Sequence, residues 1–265
     1  VNSGALTNDA GLIQGTKALA INTNGQTLSN SNSGNSAGIT SGGTLAIQSG
    51  DLSNSAGYIG STKAANITAA QITNSNGGQI LSQDTADITA TGLDNRGGSV
   101  QSAGNTTISV GSGTVNNDNS LIRSGATATI NAGTVINTNT NATDKGIEGA
   151  SVTVNANTVD NTAGAMRADE KLAINSSGSV NNTNGLLSSA KVVEVKDPNS
   201  SKALVITNTN GTITAGTSNV IDAKSISGDG QLLSSKDMSI PVVDDLTNNS
   251  TIHAANDLTV SSAGN

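Results

Sequence analysis

The segment Leu93-Asp94-Asn95-Arg96-Gly97-Gly98-Ser99-Val100-Gln101-Ser102, followed shortly by Thr106-Thr107-Ile108-Ser109-Val110, decides the fold. Apolar and polar residues alternate within three short stretches, and a period of two indicates β-strands. Clusters of Asn, Gly, Ser and Asp separate the stretches, and these residues tolerate the turn conformations that a sharp corner requires. The segment therefore predicts three short strands joined by tight corners.

The same unit recurs along the whole chain. It opens with an aliphatic residue at Leu6, Leu28, Leu52, Ile72, Leu93, Val115, Val135, Val159, Val180, Ile206, Ile226 and Leu246. The eleven intervals average (246 − 6)/11, about 22 residues, and a fixed period of this length is the signature of a stacked repeat. Three short strands cannot form a core alone, so successive units must stack on one another.

Stacking predicts an all-β fold, a right-handed parallel β-helix (solenoid) of about twelve coils of about 22 residues, with three short strands in each coil. Each strand would pair in parallel with its equivalents about 4.8 Å away, and right-handed crossover is the expectation for parallel strands. We expect residues 1–265 to form a single shaft segment, an excerpt of a longer monomeric rod. The repeat is weaker over residues 206–265, where Pro241 removes a ladder donor.

An asparagine follows the opening aliphatic residue by two positions in all units but the eleventh, which has Gly228. The set is Asn8, Asn30, Asn54, Asn74, Asn95, Asn117, Asn137, Asn161, Asn182, Asn208 and Asn248. Stacked at one corner, such amides can donate and accept along the axis as a ladder. We therefore predict a structural role for them.

Composition excludes several classes of function. The formal net charge of −7 and the single aromatic residue, Tyr58, disfavour binding to nucleic acid. The absence of cysteine excludes disulfides and thiolate chemistry. No apolar run approaches 18 residues, so we expect no membrane insertion of this segment.

Long intervals predict loops that leave the stacked strands, at residues 31–37, 138–145 and 196–203. The last lies in the longest interval, 206 − 180 = 26 residues. It carries Lys196, Asp197, Pro198, Asn199 and Lys202, and it is the candidate contact loop if the shaft has a specific partner. The alternative is a tolerated surface insertion.

Catalytic, metal and cofactor chemistry finds little support in the sequence. Parallel β-helices include polysaccharide lyases, whose sites need convergent carboxylates, but the acids here are scattered. Asp169 with Glu170 and Asp244 with Asp245 are adjacent, and adjacent residues on a strand point to opposite faces. The expected position of both pairs is a solvated turn. His253 is the only histidine, and its spacing from Ile252 predicts an exposed side chain. We expect no enzyme, no cofactor and no metal site.

Two stretches carry a family resemblance: Leu52-Ser53-Asn54-Ser55-Ala56-Gly57-Tyr58-Ile59-Gly60-Ser61 and Val159-Asp160-Asn161-Thr162-Ala163-Gly164-Ala165-Met166-Arg167-Ala168. Each precedes an apolar-x-apolar strand, and together they resemble filamentous haemagglutinin repeats. The resemblance extends over essentially all twelve units. It implies the shaft of a two-partner secretion exoprotein, either a haemagglutinin-type adhesin or a contact-dependent growth inhibition toxin.

The resemblance also implies a location and a partner. Such exoproteins leave Gram-negative bacteria through a dedicated outer-membrane β-barrel secretion partner and are held at the cell surface. The expected function is therefore a shaft that displays a distal adhesive or toxic module. The alternatives are a shaft that itself binds a receptor or glycan on another cell through its loops and, more remotely, a polysaccharide lyase.

Overall fold

The computed structural model describes residues 1–199 and 201–263. Parallel strands stack there as a β-solenoid of about twelve turns with almost no helix, which confirms the predicted fold class. The chain divides into two compact units, Val1–Gly133 and Thr134–Asn265, which are described separately. The prediction of one continuous shaft stays a prediction.

The strands are numbered in chain order. The first fifteen are β1 (Leu6–Thr7), β2 (Leu12–Gly15), β3 (Leu19–Asn22), β4 (Leu28–Ser29), β5 (Gly38–Ser41), β6 (Leu45–Gln48), β7 (Leu52–Ser53), β8 (Tyr58–Ser61), β9 (Ala65–Thr68), β10 (Gln71–Thr73), β11 (Gln79–Ser82), β12 (Ala86–Thr89), β13 (Gly92–Asp94), β14 (Ser99–Ser102) and β15 (Thr106–Ser109). A 3₁₀ turn, Gly34–Ser36, lies between β4 and β5.

The remaining strands include three long ones that continue around corners. They are β16 (Thr114–Asn116), β17 (Leu121–Ser124), β18 (Thr127–Ile136), β19 (Gly146–Asp160), β20 (Ala165–Asn181), β21 (Leu186–Ser189), β22 (Val192–Lys196), β23 (Val205–Thr207), β24 (Thr212–Ala215), β25 (Ser218–Asp222), β26 (Ser225–Ser227), β27 (Gln231–Ser234), β28 (Asp237–Val242), β29 (Ile252–Ala254) and β30 (Leu258–Ser262).

The first unit consists of three parallel sheets, because each coil contributes one strand to each. The opening sheet contains β1, β4, β7, β10, β13 and β16; the middle sheet contains β2, β5, β8, β11, β14 and β17; the closing sheet contains β3, β6, β9, β12, β15 and the start of β18. Alternation along each strand turns every second side chain inward.

Register aligns the inward aliphatic side chains in columns. In the closing sheet of the first unit the pairing places Ile47, Ile67, Ile88, Ile108 and Ile130 in one column. These five side chains are at most 2% exposed. A register slip by one residue would turn the whole set to solvent, so the pattern fixes the pairing.

The second unit has the same arrangement, but at some corners the strand continues without a separate turn. Strands β19 and β20 pair along most of their length, with irregularities between Gly149 and Ser151 and between Ala156 and Thr158. One extra residue at such a point bends a strand without a separate turn. Pro241 lies within β28, and its carbonyl accepts a hydrogen bond from the backbone N–H of Ala223 at 3.3 Å. The coil containing the proline therefore stays paired to its neighbour.

Candidate functional site: the asparagine corner

A tight turn begins at most of the predicted asparagines. In the third coil, Gly57 donates its backbone N–H to the carbonyl of Asn54 at 3.0 Å, and Ala56 between them has a φ of 50°. A positive φ at the third residue is the property of a type II turn. The second unit has the same turn, since Gly164 donates to the carbonyl of Asn161 at 2.9 Å and Ala163 has a φ of 49°.

The asparagine amides of the first unit form a continuous chain of hydrogen bonds. Each Nδ2 donates to the Oδ1 of the next asparagine along the stack. The distances are 2.7 Å for Asn8 to Asn30, 2.8 Å for Asn30 to Asn54, 2.7 Å for Asn54 to Asn74, 2.7 Å for Asn74 to Asn95 and 2.8 Å for Asn95 to Asn117. All six side chains are buried.

A second chain of the same kind runs through the second unit. Asn137 donates to Asn161, Asn161 to Asn182 and Asn182 to Asn208, each at 2.8 Å. The structure does not bring Asn248 into this chain: its side chain is half-buried, and register places Gly228 between Asn208 and Asn248.

Amides within the two chains also donate a second N–H to a backbone carbonyl. The Nδ2 of Asn74 donates to the carbonyl of Ser99 at 2.9 Å, and that of Asn137 donates to the carbonyl of Ala165 at 2.9 Å. An amide nitrogen carries two donors, so both donors of Asn74 and of Asn137 are used within the stack. The corner therefore satisfies its polar groups internally, as buried polar groups require.

Glycine after the turn is required by close approach between coils. A Cβ at Gly98 would lie 1.9 Å from the carbonyl oxygen of Asn74, and a Cβ at Gly164 would lie 1.8 Å from that of Asn137. Both distances are far below van der Waals contact. Sequence reasoning assigned these glycines only to turn flexibility, because a single sequence does not show which backbone lies above them.

Gly228 interrupts the asparagine series for a related reason. Its φ is 116°, and a Cβ there would lie 2.7 Å from the backbone carbonyl carbon of Asn208. An asparagine side chain does not fit this backbone without displacing the neighbouring coil.

A second polar corner was missed by sequence reasoning. The last residue of most middle-sheet strands is a buried serine, at Ser41, Ser61, Ser82, Ser102 and Ser124. The hydroxyl oxygen of Ser82 lies 2.9 Å from the carbonyl of Lys63 and 2.8 Å from that of Thr85, so its single hydrogen can be donated to either. The signal in the sequence was a serine two positions after the inward aliphatic residue of these middle-sheet strands.

The candidate contact loop, residues 196–203, lies between β22 and β23, and Ser200 lies outside the described residues. Lys196 pairs with Glu194 at 3.2 Å, and the ammonium of Lys202 pairs with Asp222. Pro198 and Asn199 are exposed, whereas Asp197 is buried. The contact hypothesis stays a prediction, but the carboxylate of Asp197 is not presented to a partner.

The carboxylate of Asp197 instead holds the loop together. It accepts backbone N–H bonds from Asn199 at 2.8 Å and Ala203 at 2.5 Å. Desolvation raises the pKa of Asp197, but the N–H groups of Asn199, Ala203 and Leu204 outweigh it, so the pKa lies below its ordinary value. The folded loop therefore stabilises the charged form of the Asp197 carboxylate.

Charged residues form local ion pairs along the surface. Lys171 bridges to Glu194 at 2.8 Å across neighbouring coils, and Arg167 bridges to Glu148 at 3.2 Å. The bond from Lys171 lowers the pKa of Glu194. Such pairs near the surface contribute little individually.

The remaining candidates lie apart from one another. His253 is exposed, and Asp169 and Glu170 are exposed at a bend of β20. Within residues 1–199 and 201–263, no group of three or more His, Asp or Glu side chains is arranged to hold a metal ion. Over the same residues, no helix is long and apolar enough to span a membrane.

Comparison of the chain with protein-family models, curated proteins and solved structures finds no match. The resemblance to filamentous haemagglutinin repeats therefore stays a prediction from the sequence. What the structure contributes is the geometry of the repeat.

Proposed function

We propose that this chain is a structural shaft segment of a secreted bacterial exoprotein, which extends and displays a distal adhesive or toxic module. The observation that carries the proposal is the asparagine corner. Its buried amides donate both hydrogens to neighbouring coils, as at Asn74. The most regular polar feature of the chain is thus used to hold coils together.

The filamentous haemagglutinin-like repeat adds the biological setting to this proposal. The segment would be exported through an outer-membrane β-barrel secretion partner and lie at the surface of a Gram-negative cell. In such a role the number of coils sets the reach of the shaft. No single outward side chain is needed for the activity of the displayed module.

Removing one whole coil from the parent exoprotein tests this role. Deletion of residues 72–92 joins Gln71 to Leu93, and because Ile72 and Leu93 are register partners, the coils on either side can restack. A spacer role predicts that secretion and the activity of the displayed module persist. The matched control deletes residues 72–81, about half a coil, which destroys the register and should abolish secretion.

Two measurements would contradict the proposal. One is loss of adhesion or target-cell inhibition in the whole-coil deletion while surface exposure, measured by protease accessibility, is normal. The other is turnover of an acidic polysaccharide by the purified chain, lost when a particular acid is replaced. The second result would restore the lyase alternative.

A further inference from the structure

The only aromatic side chain of the protein lies on the outer face of the middle sheet in the first unit. Tyr58 begins β8 and is half-buried. Its ring crosses the next outward position, Gly60, where a Cβ would meet Cε1 and the hydroxyl oxygen at 2.6 Å each. The glycine therefore provides the space in which the ring lies flat against the sheet.

The strand register explains why the outer face of the sheet has a recess at Gly60. Thr40 pairs with Gly60 on one side, and Leu81 pairs with it on the other. The side chains of these two neighbours stand on either side of a position that has none.

A groove of about 210 Å³ surrounds the ring. We call it the Tyr58 groove, and its lining includes Gln14, Thr40, Tyr58, Gly60, Leu81 and Gln83. None of the residues that line it carries a charge. The volume lies below the roughly 300–1,000 Å³ of pockets for drug-sized ligands, so the groove admits about one ring of a larger molecule.

The groove also contains unused hydrogen-bonding capacity. The hydroxyl oxygen of Thr40 is buried and has no hydrogen-bond partner among the described residues. Buried polar atoms are normally paired, so this one stands out. Rotation about χ1 to another staggered position would turn the hydroxyl toward a bound group.

These features together define a ligand class. An aromatic face carries negative charge density and attracts positively polarised C–H groups. Glutamine amides and a threonine hydroxyl both donate and accept hydrogen bonds, as sugar hydroxyls do. The uncharged lining and the net charge of −7 disfavour an acidic ligand. We propose that the Tyr58 groove binds a neutral saccharide unit of a glycan.

Nuclear magnetic resonance tests this directly, because the ring protons of Tyr58, the only tyrosine, have to be distinguished only from those of the single histidine, His253. The probes are neutral disaccharides of glucose, galactose, mannose or N-acetylglucosamine, at up to about 10 mM to reach weak affinities. Uronic-acid and sialic-acid disaccharides form the comparison set. The expected result is that at least one neutral disaccharide shifts the Tyr58 ring resonances and receives saturation transfer from the protein.

Variants separate the groove from general surface binding. Tyr58→Ala should weaken the neutral sugar at least about ten-fold, and Tyr58→Phe, which keeps the ring, should stay within about three-fold. Gln83→Ala leaves the ring in place and should also weaken binding. Gln79→Ala is the matched control, since Gln79 is the register neighbour of Tyr58 outside the groove lining, and it should bind normally.

Three outcomes would overturn the proposal. They are the absence of binding by every neutral disaccharide, unchanged affinity in Tyr58→Ala, and tighter binding of the acidic set. All three are measured on the purified chain, so they are independent of the spacer role tested by the coil deletion.

Discussion

At the scale of single residues, the asparagine corner shows how one buried side chain links neighbouring coils. Asn74 accepts from Asn54 at 2.7 Å and donates to Asn95 and to the carbonyl of Ser99. It is fully buried. Removing such a group leaves buried partners unsatisfied, which costs more than the bonds themselves contribute.

Replacement of Asn74 by alanine is therefore expected to lower the free energy of unfolding by about 2–4 kcal/mol, since at least two buried polar partners lose their bonds. Chemical denaturation monitored by far-ultraviolet circular dichroism measures it. Asn66→Ala is the control, because Asn66 is exposed on β9, and its effect should be within about 0.5 kcal/mol. Equal effects of the two substitutions would contradict the role assigned to the corner.

The glycine after the turn, Gly98, can be compared with its neighbour Gly97, because substitutions at the two positions should differ in their effect on stability. Gly98→Ala places a methyl group against the carbonyl of Asn74 and should destabilise by about 2–3 kcal/mol or prevent folding. Gly97→Asn should be tolerated, because Gly97 has a φ of 64°, its Cβ position is open, and Asn76 and Asn119 adopt a similar φ at equivalent turns. Denaturation midpoints of the two variants check this order, and the reverse order would refute the close-approach explanation.

The asparagines of the corner were identifiable from sequence because their spacing repeats. Their hydrogen-bond direction was not, since it depends on how neighbouring coils stack. Asn219 is the opposite case, a buried asparagine that the sequence pattern does not identify. It is fully buried at a position where its register neighbours are Val193 and Met238, and its Oδ1 has no partner among the described residues. Nothing in the local pattern distinguishes this asparagine from an outward one.

At the scale of elements, strands and loops differ in how well a sequence specifies them. Strand positions follow from alternation, and the three long intervals fall between strands, as between β22 and β23. The contacts inside a loop follow neither from the alternation of residues nor from the length of the interval. Asp197 was considered a contact residue because it is charged, yet backbone N–H groups that only the folded loop brings together surround it.

The loop at residues 196–203 should therefore respond to pH. The pKa of Asp197 is lowered on folding from its ordinary value of 3.8. Its contribution is thus fully present above the unfolded pKa and is lost as pH falls through the lower folded pKa. Asp197→Asn should cost about 1–2 kcal/mol at neutral pH.

The difference in unfolding free energy between the wild type and Asp197→Asn should be constant above about pH 5 and shrink below the ordinary carboxyl pKa. Denaturation at a series of pH values measures it. Asp87→Asn is the control, since Asp87 is exposed on β12. A difference that grows on acidification would have the wrong sign and would contradict the assigned role.

At the scale of the whole molecule, the fold class could be predicted because one period governs nearly every coil. The rounded corners of β19 and β20 could not, because irregularities within a continuous strand leave no distinctive residue in the sequence. The Tyr58 groove could not be predicted from the sequence either, although Tyr58 and Gly60 are only two residues apart. Their significance depends on Thr40 and Leu81 in neighbouring coils.

If each period adds one coil at a fixed rise, distances along the first unit must increase in equal steps. Register places Ala20, Asn66, Asp87, Thr107 and Thr129 in one outward column. The chain has no cysteine, so spin labels can be attached at chosen pairs. Ala20→Cys would be combined in turn with cysteine at each of the other four positions.

Electron–electron dipolar spectroscopy then gives the separation of each pair. With a rise of about 4.8 Å per coil, the distance should increase linearly from about 10 Å for the pair of Ala20 with Asn66 to about 24 Å for the pair with Thr129. A linear series with this slope would support the stacked-coil architecture. Distances that do not rise in equal steps, or a slope near 10 Å per coil, the spacing of packed sheets, would contradict it.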